Sequence, residues 1–488
     1  MRRRDVLRGA AGAAALPFAS RVAAATNQDA YAPLATVDLP GAKEAVVGDD
    51  GETVYVATTD GFATVDVSDP ENPSVLVQAS SLLADRENGP MTAVFDVKVD
   101  GDTMVAVGPA NSVQEDGFQG MAIYDVSDPA APELRAVHET DHAIHNAYLD
   151  GDTAYLTGTR VRNNPVVVVD VSGDDPEEVA RWSRVDHDER WADVYNSNHD
   201  LYVHDDTLYV AHWDAGTWLV DVSDPSQPEY VNHFGHYSLE DLLELDDPQA
   251  GFELPGNAHY VAVNDDASLL ACGAEAWDFS PDDGSQDAPG GIDIWDVSDP
   301  QNPEQLSFVE PPPTPDPTRG GVWTTSHNFD FRGDRLYTSW YQGGVKVHDV
   351  SDPENPEELA WWRQPEEAMF WTAQSLGGDA DAFVASSMRG GEAYPAGLFT
   401  FPDRAGEQAD PPSLTPAETT TVDGTTTGDE TATTTATATT STTTDGGDSG
   451  DGDGGESGGS VPGFGVLAAV SGASAAALAA WRRRGGLD

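Results

Sequence analysis

Apolar and polar positions alternate along the middle of the chain in short bursts. Asp200-Leu201-Tyr202-Val203 leads through an aspartate turn into Thr207-Leu208-Tyr209-Val210-Ala211. A period of two over so few residues predicts paired strands rather than helices. The next apolar segment carries a recurring phrase: Val65-Asp66-Val67-Ser68-Asp69-Pro70, then Tyr124-Asp125-Val126-Ser127-Asp128-Pro129. It returns at Val169-Asp170-Val171-Ser172, Val220-Asp221-Val222-Ser223-Asp224-Pro225, Trp295-Asp296-Val297-Ser298-Asp299-Pro300 and His348-Asp349-Val350-Ser351-Asp352-Pro353. The marker aspartates lie 59, 45, 51, 75 and 53 residues apart. A degenerate seventh copy, Gly397-Leu398-Phe399-Thr400-Phe401-Pro402, ends 53 residues after Asp349. A fourth short segment, such as Glu229-Tyr230-Val231, follows each Ser-Asp-Pro turn.

Four short strands in a repeat of about 50 residues are the pattern of a β-propeller blade. The marker phrase resembles the LVIVD repeat, a propeller-type motif, and the resemblance covers residues 30–405. The expected fold is therefore all-β, with seven blades, or six if the degenerate copy only caps the array. Closure is expected from the ends. The last unit supplies three strands, and Leu34-Ala35-Thr36-Val37-Asp38-Leu39 supplies an unclaimed fourth. Joining them removes exposed sheet edges.

Two turns of each unit are short and uniform, the Asp-Gly-Asp type between the first two strands and Ser-Asp-Pro between the last two. Both lie on one face of the disc. The other face receives long, variable connections, including Ser80–Pro90, Asp186–Asn198, Asn232–Gly256, Trp277–Gly290 and Glu310–Val322. Variable loops on a rigid scaffold are where binding concentrates.

Histidines mark that same face. His145, His199, His259 and His327 each stand seven residues before the aspartate that ends the first turn of their unit. The same count reaches Ala45, Phe95 and Thr372 in the other units. Four imidazoles at the start of inner strands would converge near the channel mouth, as ligands for one divalent transition metal, zinc, copper or iron. His142, Asp193 and Glu275 are candidate supporting groups. A second reading stands beside this one. Propellers of the WD-repeat type tie blades with such a histidine, and these four share strand parity with apolar Leu201, Val261 and Phe329. The Asp-Pro turns lack the spacing of a calcium loop and read as structural. No nucleophile elbow, phosphate loop or dinucleotide fingerprint occurs.

The two ends read as addresses. Arg3-Arg4-Asp5-Val6-Leu7-Arg8, an Ala-rich run and Ala23-Ala24-Ala25 resemble a twin-arginine export signal over residues 1–25. Residues 410–460 are Thr, Asp, Gly and Ser with almost nothing apolar, and read as a disordered, O-glycosylated stalk. Pro462-Gly463-Phe464, an apolar segment over 465–481 and Arg482-Arg483-Arg484 resemble the PGF-CTERM sorting signal of archaeal surface proteins, spanning 461–488. That resemblance implies the twin-arginine translocase and an archaeosortase as partners, a lipid anchor, and a place on the outer face of the membrane. A plain C-terminal transmembrane helix is the alternative anchor.

Charge narrows the partners further. Acidic residues number 85 against 24 basic, a net charge of −61, and lysine occurs only at Lys43, Lys98 and Lys346. Such a field repels nucleic acid, so none is expected as a partner. It resembles the surface of proteins from salt-loving archaea, where salt screens self-repulsion. The single cysteine, Cys272, excludes an internal disulfide. Two function classes remain: a surface-anchored module binding an unknown ligand, and a metal-dependent surface oxidoreductase or hydrolase built on the histidines.

Overall fold

Seven antiparallel sheets follow one another along the chain in the computed structural model, which describes residues 30–415 apart from 112–116, 160, 195–197, 246–249, 282–286 and 379. The inner strands are Ala45–Val47, Asp96–Asp100, Ala147–Asp150, Asp200–His204, Ala258–Val263, Phe329–Arg332 and Phe370–Ser375, which number blades 1 to 7. This is the all-β, seven-bladed propeller expected from the repeat. The export motif with Arg3 and Arg4, the stalk beyond Thr415, the sorting motif Pro462-Gly463-Phe464 and the apolar segment 465–481 lie outside the described residues. Among the described residues, no helix is long and apolar enough to cross a membrane.

The ring closes as the end strands require. Ala35–Asp38 pairs antiparallel with Gly397–Pro402, Ala35 facing Thr400 and Asp38 facing Gly397. Thr400 Oγ1 accepts from the Ala35 amide at 3.1 Å and donates to the Pro70 carbonyl of blade 1 at 2.6 Å. The chain then runs back over its neighbour. Gly406–Glu407 adds a parallel fifth strand beside Glu357–Trp362 of blade 6, and Leu414 is buried.

The marker phrase works as a turn and a clamp. In six copies the aspartate Oδ1 accepts the amide of the serine two residues on, at 2.9–3.0 Å. The intervening valine is buried in each, which is why an apolar residue recurs between two polar ones. The proline carbonyl accepts from the preceding blade: Thr64 to Pro129 at 2.7 Å, Ser307 to Pro353 at 2.6 Å, Asn232 to Pro300 at 2.9 Å. Six blades carry the same register shift between third and fourth strands at this phrase. Such a bulge increases local twist, as blades radiating from an axis need.

All three lysines are buried. Lys346 lies over the rings of Trp340 and Trp361 and meets Glu358 at 3.1 Å, while Lys43 and Lys98 stand by the channel. Lysine is thus retained where a buried cation has aromatic or carboxylate neighbours.

Candidate metal centre at the channel mouth

Strand pairing corrects two equivalences drawn by counting. Leu149 faces Ala154 in blade 3, whereas Val47 faces Val54 in blade 1, where the first turn is two residues longer. The blade 1 counterpart of His145 is therefore Lys43, not Ala45. In blade 7 an extra residue is absorbed between Phe370 and Thr372, as between Ala258 and Tyr260 in blade 5. The counterpart of His259 there is Trp371, not Thr372. Seven equivalent positions, one per blade, carry Lys43, Phe95, His145, His199, His259, His327 and Trp371.

These side chains meet. Ring centroids are 4.4 Å apart for His145–His199, 3.9 Å for His199–His259, 4.7 Å for His259–His327 and 4.3 Å for His327–Trp371. Lys43 Nζ lies 5.3 Å from the Phe95 ring and 5.0 Å from the Trp371 ring, a cation set against aromatic faces. Burial pushes its ammonium down to about 8. The four histidines thus form one continuous arc.

Blade tying and convergence coexist. His199 Nδ1 lies 3.0 Å from the His259 carbonyl, and His327 Nδ1 lies 2.6 Å from the Trp371 carbonyl, each oxygen belonging to the next blade. A carbonyl only accepts, so these Nδ1 atoms carry the proton and leave each Nε2 with a lone pair. Burial pushes His145 down to about 4 and holds His199, His259 and His327 well below the usual imidazole range, where neighbouring imidazoles lower them further. All four are neutral near pH 7, the form that ligates metal.

Glu275 completes the arc on one side. It follows the second strand of blade 5, Leu269–Ala274, on the loop face. Its Oε2 lies 3.3 Å from His259 Nε2, and its Oε1 accepts a hydrogen bond from the Tyr341 hydroxyl. Tyr341 also packs edge-on against the His327 ring at 4.7 Å. Burial pushes the Glu275 carboxyl up to about 8, although Tyr341 and Arg319 oppose that shift. His259, His327 and Glu275 present ligand atoms all within 4.8 Å of one another. His259 Nδ1 is buried and has no hydrogen-bond partner among the described residues. Two neutral imidazoles, a carboxylate and an orphaned ring nitrogen fit a divalent transition metal.

The other supporting candidates stand apart from this donor set. His142 is buried with Nδ1 at 3.0 Å from the Ala143 carbonyl, and Asp193 is exposed in the short helical turn Glu189–Asp193.

Below the arc lies a polar deck that counting from turns did not reveal. Its members immediately follow the ring positions: Glu44, Asp96, Asn146, Asp200, Asn328 and Thr372, with Lys98 two residues beyond Asp96. Lys98 Nζ meets Asp96 at 2.7 Å and Glu44 at 3.4 Å. Glu44 Oε2 accepts from Asn328 Nδ2 at 2.7 Å and from Thr372 Oγ1 at 2.8 Å, so one carboxylate joins blades 1, 6 and 7. Asp96 Oδ2 accepts from the Ala147 amide of blade 3 at 2.7 Å. The sequence signal was present: charged residues at alternate positions of strands otherwise reading as core.

Comparison with known proteins agrees with the repeat. Residues 50–78 and 197–234 match the LVIVD repeat family. The chain is a seven-bladed β-propeller in which two stretches match the LVIVD repeat. No curated protein matches it. Solved structures share the fold alone. The chain is similar to the β-propeller domain of Cps50 (Swd1) from Myceliophteria thermophila, with 9% identity and a TM-score of 0.50, over 76% of this chain and 98% of that one. It is also similar to U3-55K, with 12% identity and a TM-score of 0.50, over 78% and 98% of the two chains.

Proposed function

We propose that this propeller is a binding module displayed outside the cell, with its working centre at the channel mouth. There His259, His327 and Glu275 would hold one divalent transition metal, while His145 and His199 flank the site. The observation that carries the reading is the 4.8 Å clustering of three ligand atoms on the loop-bearing face. Tyr341 orients Glu275, and the Trp371 carbonyl orients His327, the outer contacts that fix ligand geometry in metal sites. Bound there, a metal would accept a ligand group from a partner resting on the loops.

Location rests on the ends of the sequence. Export by the twin-arginine route through Arg3 and Arg4, and anchoring after processing at Pro462-Gly463-Phe464, would hold the propeller outside the cell on a stalk.

The test is metal analysis of the exported protein purified in high salt. One metal per chain is expected, lost in His259→Ala and in Glu275→Gln and retained in His145→Ala. A metal-free wild type that takes up no zinc, copper or iron on dialysis would overturn the reading.

A further inference from the structure

A second site, independent of the metal, opens between blades 4 and 5 on the loop face. The cavity is about 290 Å³, at the small end for ligand sites. Four aromatic side chains line it, Trp213, Phe234, Trp295 and Phe308, together with two carboxylates, Asp214 and Asp293. Phe234 and Trp295 lie with ring centroids 4.7 Å apart, and Phe308 is 40% exposed at the rim. No lysine or arginine is among the lining residues.

The two acids differ. Asp293 is engaged, its Oδ2 2.7 Å from His236 Nε2 and its Oδ1 accepting from Gln305 Nε2 at 2.6 Å. Asp214 is buried and, among the described residues, accepts only a backbone amide, that of Asn257 at 2.9 Å. Burial pushes its carboxyl up to about 6, so near pH 8 it is a negative charge in an apolar wall with no cation paired to it among the described residues. A buried charge of that kind is costly unless a partner arrives.

We infer that this cleft binds a methylated ammonium group, with the aromatic faces around the methyls and Asp214 facing the charge. Net charge and the lining carboxylates disfavour anions. A bare metal cation is disfavoured because the wall offers few oxygens to replace its water. A quaternary ammonium is weakly hydrated and is held by aromatic faces and a nearby carboxylate. A pyranose would need free polar groups along its edge, and Asp293, Gln305 and His236 already satisfy one another. Trp213 joins the two sites, since its ring also stacks on His199 at 6.4 Å.

The experiment is calorimetric titration of the metal-loaded and metal-stripped protein at pH 8 and constant salt, using choline and its neutral isostere 3,3-dimethylbutan-1-ol. Choline is expected to saturate one site and to bind at least about tenfold tighter than the alcohol. Asp214→Asn should remove that preference, and Phe308→Ala should weaken choline about threefold or more. Phe308 sits at the rim, so its variant should keep the wild-type melting temperature and remains interpretable if Asp214→Asn fails to fold. Equal binding of choline and the alcohol, no choline binding by folded wild type, or preference for methyl glucoside would each overturn the inference. Binding that persists in metal-stripped protein separates this site from the channel mouth.

Discussion

Removing the Lys98 ammonium should weaken the ring closure and do so in a pH-dependent way. Lys98 is 2.7 Å from Asp96 and 3.4 Å from Glu44, with 11% of its side chain exposed. At an effective dielectric near 20, the closer contact alone corresponds to about 6 kcal/mol of attraction before desolvation is subtracted. Breaking a buried pair by deleting one partner costs about 3–5 kcal/mol, so Lys98→Met should lose that much at pH 8. Burial pushes Asp96 up to about 6 despite the lysine, and without the lysine it rises further. A carboxyl raised in the folded state penalises folding at high pH, and the penalty fades as pH falls through its folded pKa. By pH 5 Asp96 is mostly protonated, and the difference between variant and wild type should shrink by more than half. Guanidinium unfolding at fixed ionic strength, at pH 8 and pH 5, measures both values. An equal loss at the two pH values would refute the electrostatic account and leave only lost packing.

Lys43→Met should behave oppositely on the alkaline side. The folded pKa of Lys43 is depressed to about 8, so wild type should gain up to about 3 kcal/mol relative to the variant between pH 8 and 10.5, measured by paired melts. Thr400→Val removes the bond to Pro70 and the acceptor for Ala35, and should cost about 1–3 kcal/mol in denaturant unfolding. The Cys272 thiol, pushed up to about 12 by burial, should react slowly with a disulfide reagent at pH 8 and fully on unfolding; a fast native reaction would contradict that environment. Metal should dissociate as acid protonates the donors; burial makes the Glu275 carboxyl easier to protonate and the His259 and His327 imidazoles harder. Glu275→Gln should therefore weaken binding most at alkaline pH, and the histidines should hold metal to lower pH than free imidazole would. Dialysis at stepped pH reads it.

The blades were legible because the marker phrase serves the turn and the inter-blade clamp at once, which holds its aspartate, valine and proline in register. Closure was legible for a related reason: Ala35–Asp38 had no partner within its own unit. The four histidines follow from counting back from a turn aspartate, which works only from the same turn position in every blade. Blades 1 and 5 both have two extra turn residues. In blade 5 they follow Asp266 and leave the count intact, whereas in blade 1 the count from Glu52 rather than Asp50 passes Lys43. In blade 7 the count lands on Thr372, one residue past the bulge at Trp371. The polar deck stayed hidden because its bonds join residues far apart in sequence, Glu44 with Asn328 and Thr372 above all. Strand parity alone placed the imidazoles between blades. His145, His199 and His327 stand just before their inner strands and His259 at a bulge within its own. This frees the rings to meet at the mouth while Nδ1 of His199 and of His327 still holds the neighbouring blade. Glu275 comes from a loop position, where spacing carries no register.

The central claim is a metal held by three named side chains, and anomalous diffraction tests it most directly. Crystals of the exported protein, measured above and below the absorption edge of the metal found by elemental analysis, should show one peak within bonding distance of His259, His327 and Glu275. The absence of a peak there, in crystals soaked with zinc, copper and iron in turn, would contradict the account and leave the arc as a blade tie alone.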